Sequence, residues 1–274
     1  MNQNSKQFKK ITEMCRKMRL RVLELTYGVG LSGTHLGAGL SVVETLAILY
    51  GKILNINKNN LHDDKRDRFI LSKGHSAMAL FTALEYCGYI KKEDLDTFEK
   101  NGSPYYAHAK RNLSEGIEFS GGSLSLGLSF GVGVAISCKI NKLKNHIYVL
   151  VGDGECDEGL IWESLMSAAH YNLTNLTLIV DFNKLQSDGY TKDIMDKSTL
   201  GLKIESFGFN VCEIDGHNLT ELDKSFLNKH TSKPNAIIAH TIKGKGVSFM
   251  ENSVDWHHGS LNSEQYKIAV SEQV

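Results

Sequence analysis

Residues 147–189, IYVLVGDGECDEGLIWESLMSAAHYNLTNLTLIVDFNKLQSDG, constrain this chain more than any other stretch. They read as strand, acidic turn, helix, strand, polar turn. Residues 147–151 form a short apolar run, as expected of a strand buried on both faces. Gly152-Asp153-Gly154 follows at once, and glycine there permits close approaches that a side chain would block. A helix is predicted from about 158 to 171, then a second β-branched strand at 176–180 that runs into Asp181-Phe182-Asn183-Lys184. Parallel strands joined by a helix bring both carboxyl ends to one edge of the sheet, where open α/β sheets bind ligands. Asp153 and Asn183, thirty residues apart, are therefore expected to be neighbours.

Such a pair suits magnesium. Mg²⁺ takes hard oxygens in octahedral geometry and often combines one or two carboxylates with phosphate oxygens. Asp153 offers a carboxylate, Asn183 an amide oxygen and a carbonyl near Leu185 a third oxygen; a diphosphate would supply more. Ordinary strand-end turns use the same residue types. The pairing of the two turns resembles the thiamine diphosphate motif, GDG followed after about thirty residues by Asn. The longer string GDGECDEGLIWESLMSAAH…LTLIVDFNKLQSDG resembles transketolase. The resemblance implies that Asp153, Asn183 and the Leu185 carbonyl hold Mg²⁺ (or Ca²⁺ or Mn²⁺) against the cofactor's diphosphate, with Gly152, Gly154 and Glu155 around it. It also implies that Glu158 and Glu163 lie at a dimer interface beside the cofactor, although by themselves they read as a solvated helix face.

The remaining chain fits an α/β fold, a parallel β-sheet covered by helices on both faces, because predicted strands and helices alternate. With 274 residues, two prolines and no break in composition, residues 1–274 read as one domain. A formal net charge of zero favours neither nucleic acid nor an anionic membrane as partner. The five cysteines are scattered without a CxxC pair, so neither zinc nor a disulfide framework is signalled, and a reducing cytoplasm is expected. No run approaches twenty apolar residues, and the segment MNQNSKQFKK has no apolar signal region, so a soluble chain is expected.

Taken in order, residues 6–27 place Ile11, Met14, Met18, Val22 and Leu25 at helical spacing, with Lys9, Lys10, Arg16, Lys17, Arg19 and Arg21 on a face expected to be solvated or to cover a partner. Gly28-Val29-Gly30-Leu31-Ser32-Gly33 is formally GxGxxG, but it follows a helix and so fails as a dinucleotide fingerprint. His35 lies in the glycine-rich segment just beyond, before an apolar helix at 42–50. His75 ends RDRFILSKGH at a strand-to-helix turn, near backbone N–H groups that favour anions. A charged surface helix is predicted over 91–100. A helix of small residues (Gly127, Gly131, Gly133, Ala135, Ser137) is expected to be central and buried. Further alternation predicts a helix at 198–207, a strand at 210–214, a helix at 219–227 and a final strand at 235–241. His217 reads as structural, and the His257-His258 pair lacks companions at metal-ligand spacing.

The transketolase resemblance assigns these pieces. It makes His35, His75, His108 and His257 the catalytic imidazoles, with His75 and His257 also touching the cofactor and Lys243 at the mouth of the site. His108 stands in Ala-His-Ala where the family has Gly-His-Pro, and His258 stands where it usually has Gly. The backbone of Gly122, Ser123 and Leu124 would pack on the thiamine, yet the family's Thr-Gly-Ser-Leu-Gly-Gln-Gly reads Gly-Gly-Ser-Leu-Ser-Leu-Gly here, which hints at an unusual substrate.

The resemblance covers the diphosphate-binding domain alone. It implies that the pyrimidine-binding domain, with its activating Glu, is supplied by a separately encoded C-terminal subunit in an α2β2 assembly. The implied reaction moves a two-carbon ketol unit from a ketose phosphate, or a modified sugar, to an aldose. Other readings are a 2-oxo acid dehydrogenase component, a deoxyxylulose-phosphate synthase relative, or a silent binding protein with this fold. RDRFILSKGH and KGKGVSFMEN argue against the dehydrogenase; the altered loop at 121–127 is the best support for the silent protein.

Overall fold

A computed structural model describes residues 3–273. The long amphipathic helix α1 (Gln3–Val29) leads into short helices α2 (Leu36–Leu40) and α3 (Val43–Ile48). Strand β1 (Arg68–Leu71) is followed by α4 (Ala77–Tyr86), one-turn α5 (Lys92–Leu95) and α6 (Leu126–Ile140). The central unit is β2 (Ile147–Gly152), α7 (Gly159–His170) and β3 (Leu176–Phe182). Then come α8 (Thr191–Ile194), α9 (Leu200–Ser206), β4 (Asn210–Asp215), α10 (Leu219–Leu227), β5 (Asn235–His240) and α11 (Ser263–Ser271).

The strands form one parallel five-stranded sheet in the order β1-β2-β3-β5-β4. Its two faces take alternate residues, as the pleat requires. Phe69, Leu71, Tyr148, Leu150, Ile179 and Ile237 pack with α1, α3, α4, α10 and α11 on one side. Ile70, Val149, Val151, Leu178, Val180 and Ile238 pack with α6, α7 and α9 on the other. Both faces are covered, which explains why the strands read as unbroken apolar runs.

Three expectations need correction. Arg19 and Arg21 are not solvated: Arg19 pairs with Glu44, and Arg21 with Glu85 and Asp96. The helix predicted over 91–100 stops at Leu95, because Leu95 and Phe98 both turn into the core and Glu99 takes a left-handed φ of 57°. Helix α6 is buried on one side only. A Cβ on Gly127 would lie 2.5 Å from Ser72 Cβ, and one on Gly131 would lie 2.5 Å from Val149 Cγ2, whereas Gly133 and Ser137 face outward. Among the described residues no helix is long and apolar enough to cross a membrane.

Candidate active site at the carboxyl edge of the sheet

β2 and β3 pair in register from Ile147 with Leu176 to Gly152 with Asp181, so the turns that follow them leave the sheet side by side. They are tied directly. Lys184 N–H donates to Asp153 Oδ2 at 2.6 Å, and Gly154 N–H donates to Oδ1 at 2.9 Å. Lys184 adopts φ 67°, which turns the chain sharply after Asn183. Asn183 Oδ1 accepts from Leu185 N–H at 3.1 Å, and its Nδ2 donates to Asp181 at 2.8 Å. The Leu185 carbonyl accepts from Lys243 Nζ at 3.2 Å. The same ammonium donates to His257 Nδ1 at 2.8 Å, which leaves the ring proton on Nε2.

Asp153, Gly154, Asn183, Leu185, Lys243 and His257 line a cavity of about 170 Å³, together with Lys73, His75, Leu124, Glu155 and Gln186. A roomier cavity of about 690 Å³ lies across the Asn183–Leu185 turn, but its one imidazole, His240, is engaged by Glu213. The smaller cavity is where the reactive groups converge. Its electrostatics are set by burial. Asp153 is pushed up to about 6 by burial and then by the neighbouring Asp181 charge, against the pull of its two backbone N–H donors and Lys73. Lys243 is pushed down to about 8, first by burial and then by the Lys73 ammonium. A carboxylate, an amide oxygen and a peptide carbonyl form an all-oxygen donor set, which fits a hard divalent cation. Among the described residues no group of three or more His, Cys, Asp or Glu is arranged to hold a metal.

Above this edge stands a group of five histidines. The His35 ring lies 5.5 Å from His75, 5.6 Å from His108, 5.6 Å from His257 and 4.8 Å from His258. The backbone holds them there. Thr34 and Gly259 exchange hydrogen bonds of 2.8 and 2.9 Å, which clamps the turn carrying His257 and His258 to the turn carrying His35. Burial and then His258 push His35 down to about 4; burial and then Lys243 push His257 down to about 4. Burial and then Lys73 hold His75 well below the usual histidine range. These three rings are neutral at pH 7, so each offers one donor and one acceptor nitrogen.

The remaining sequence-predicted residues fall around this centre. Of the loop Gly122, Ser123 and Leu124, only the Leu124 side reaches the cavity wall; Ser123 and Leu124 are exposed and Gly122 is exposed with them. Backbone lies on backbone here: a Cβ on Gly74 would stand 2.7 Å from Gly122 N and one on Gly121 2.8 Å from Gly74 Cα, which explains glycine on both turns. Glu155 lines the cavity, but its carboxylate is taken up by Ser72, by Ser125 N–H at 2.7 Å and by Gly152 N–H at 3.0 Å. It therefore braces three segments. Glu158 and Glu163 are exposed, beside and on α7. His217 is structural: Nδ1 meets Glu44 and Nε2 accepts from Ile242 N–H.

Sequence reasoning missed Lys73 and Asp181, which form an ion pair under the site. The signal was present, since a carboxylate inside the buried run LTLIVDF must find a partner.

Residues 15–272 match the family described as transketolase, thiamine diphosphate binding domain. The chain belongs to the transketolase family. The matched part is the domain that binds thiamine diphosphate, so that is the cofactor this transketolase site serves. Among its relatives is an apulose-4-phosphate transketolase subunit of Phocaeicola vulgatus, 39% identical over 93% of this chain and 91% of that protein. Another is a 6-deoxy-6-sulfo-D-fructose transketolase subunit of a Clostridium species, 41% identical over 89% of this chain and 88% of that one. The solved transketolase of Campylobacter jejuni superposes with a TM-score of 0.87 at 27% identity, covering 100% of this chain. This chain spans 43% of that structure's length, so it corresponds to less than half of a long transketolase.

Proposed function

We propose that this chain is the diphosphate- and metal-binding subunit of a two-chain transketolase that moves a two-carbon ketol unit from a ketose to an aldose. One observation carries the reading. The Lys184 N–H to Asp153 bond, together with Lys243 on the Leu185 carbonyl, draws the oxygen donors, two lysine side chains, His75 and His257 to one cavity of a transketolase-family chain.

Residues 1–274 would form a single diphosphate-binding domain. A separately encoded subunit would bring the pyrimidine domain and its activating Glu, in an α2β2 cytoplasmic enzyme. Support comes from relatives of equal span that are named as subunits. It comes also from the α6–α7 side of the molecule, where Leu126, Phe130, Met166 and Tyr171 are exposed near Glu158 and Glu163.

Asp153, Asn183 and the Leu185 carbonyl would hold Mg²⁺ (or Ca²⁺ or Mn²⁺), while Lys73 and Lys243 offset diphosphate charge. Bound thiamine diphosphate supplies a nucleophilic carbon for a ketose carbonyl. The chain's own residues do the rest. His257 donates through Nε2, being held through Nδ1 by Lys243. His35, His75 and His108 surround the opening and serve sugar hydroxyls; neutral His35 and His75 each offer one donor and one acceptor nitrogen. The two relatives are named for apulose 4-phosphate and 6-deoxy-6-sulfo-D-fructose, which supports a modified ketose as donor.

The test is coexpression with the gene product encoded beside this one, then a ketol-transfer assay with Mg²⁺ and thiamine diphosphate. Xylulose 5-phosphate with ribose 5-phosphate is compared with modified ketoses. Turnover that requires both chains is expected; full turnover by this chain alone would overturn the two-chain reading.

A further inference from the structure

Asp181 is the penultimate residue of β3, two residues before Asn183, and is 1% exposed. Four donors converge on its carboxylate. Ser41 Oγ at 2.7 Å, Asn183 Nδ2 at 2.8 Å and Lys73 Nζ reach Oδ2, and Thr241 Oγ1 reaches Oδ1. Lys73 is as deeply buried as its partner, also 1% exposed. An ammonium and an amide NH2 both reach Oδ2, so that oxygen is their acceptor.

Among its partners one group has two chemically different ends. A hydroxyl rotates and an ammonium is symmetric, but an amide presents either oxygen or NH2. With the NH2 of Asn183 on Asp181, the oxygen points the other way, where it accepts from Leu185 N–H at 3.1 Å. The flipped amide would set oxygen against carboxylate and NH2 against N–H, two repulsions in place of two bonds. A cation requires the oxygen.

We propose that Asp181 is a positioning residue that locks the Asn183 amide with its oxygen toward the metal of the site. The proposal rests on the reading of Asn183 as a metal ligand. The structure also shows what holds the lock. Ser41 and Thr241 come from the α2–α3 junction and the end of β5, and Lys73 from the turn before His75, so the orientation of one amide depends on three separate segments.

The test measures Mn²⁺ binding to the full chain by electron paramagnetic resonance in the presence of inorganic diphosphate. Asn183→Ala comes first: if it binds Mn²⁺ like the wild type, the metal reading itself fails. With that reading upheld, Asp181→Asn should weaken binding by about tenfold to a hundredfold, the usual cost of losing the partner that orients a ligand. The decisive variant is the exchange Asp181→Asn/Asn183→Asp. It keeps one carboxylate and one amide in place, and a carboxylate at 183 presents oxygen whichever way it turns. Binding within a few-fold of wild type is expected. A folded exchange variant that binds no better than Asp181→Asn would overturn the proposal, as would wild-type binding by Asp181→Asn. If Asp181→Asn does not fold, the exchange variant alone decides.

Discussion

His146 accounts for part of the molecule's response to acid. Its ring bonds Thr177 at 2.8 Å, and burial followed by the Lys229 charge pushes it down to about 3. His35 and His257, at about 4, act in the same direction. A group whose folded value lies below its unfolded value binds protons more readily when unfolded. Stability is therefore intact above the unfolded histidine value of about 6.5 and is lost as pH falls from there toward 4 and 3. For the buried His146 ring the loss is on the order of 2 kcal/mol by pH 5. His146→Gln lies far from the chemistry, and urea titrations at pH 7.5 and pH 5 should show a smaller acid loss in this variant by about that amount. An equal loss in both would mean that the ring is free to ionise in the fold. At this scale the sequence was most legible where chemistry was local. GDG and the later Asn could be read directly, and His35, His75, His108 and His257 only through the family resemblance; the structure gathers those four rings and adds His258. The Lys73–Asp181 pair was not legible, because its members stand 108 residues apart and only the sheet brings them together.

Among the elements, α6 shows how a pattern gives a helix without giving its surroundings. Small residues announced close packing, but not on which side. Gly131 lies over Val149, and Gly133 meets nothing within 4 Å. Two substitutions two residues apart should thus act oppositely. Gly131→Ala should destabilise by about 1–3 kcal/mol through overpacking. Gly133→Ala should stabilise by roughly 0.5–1 kcal/mol, the gain from removing a helical glycine. Denaturant midpoints of the two variants measure this, and a shared sign would show that α6 does not sit on β2 as described. The predicted helix over 91–100 failed for a related reason. Its charges suggested a solvated surface, while Leu95 and Phe98 bury their side chains in the core, the chain tightens into an i→i+3 turn and Glu99 at φ 57° leaves the helical path.

For the whole molecule, alternation of strands and helices was enough to expect a parallel sheet, but not its order. That order, and the side left to a partner, follow from packing between distant segments. The exposed Leu126, Phe130, Met166 and Tyr171 of the α6–α7 side should be covered in the two-chain enzyme. Adding the second subunit should then lower binding of a hydrophobic dye and raise the melting temperature in a concentration-dependent way; unchanged dye binding would place the contact elsewhere. The position of β5 has a consequence in time. Because it lies between β3 and β4, both of those strands present unpaired backbone until residues 235–240 exist. Exposed strand edges invite pairing with other chains. A nascent chain emerging at roughly 5–20 residues per second therefore carries two open edges through several tens of residues of synthesis. Lys243 and His257, both later still, arrive only after β5 has closed the sheet. Ribosome-bound chains that stop short of β5 are thus the form most in need of a chaperone.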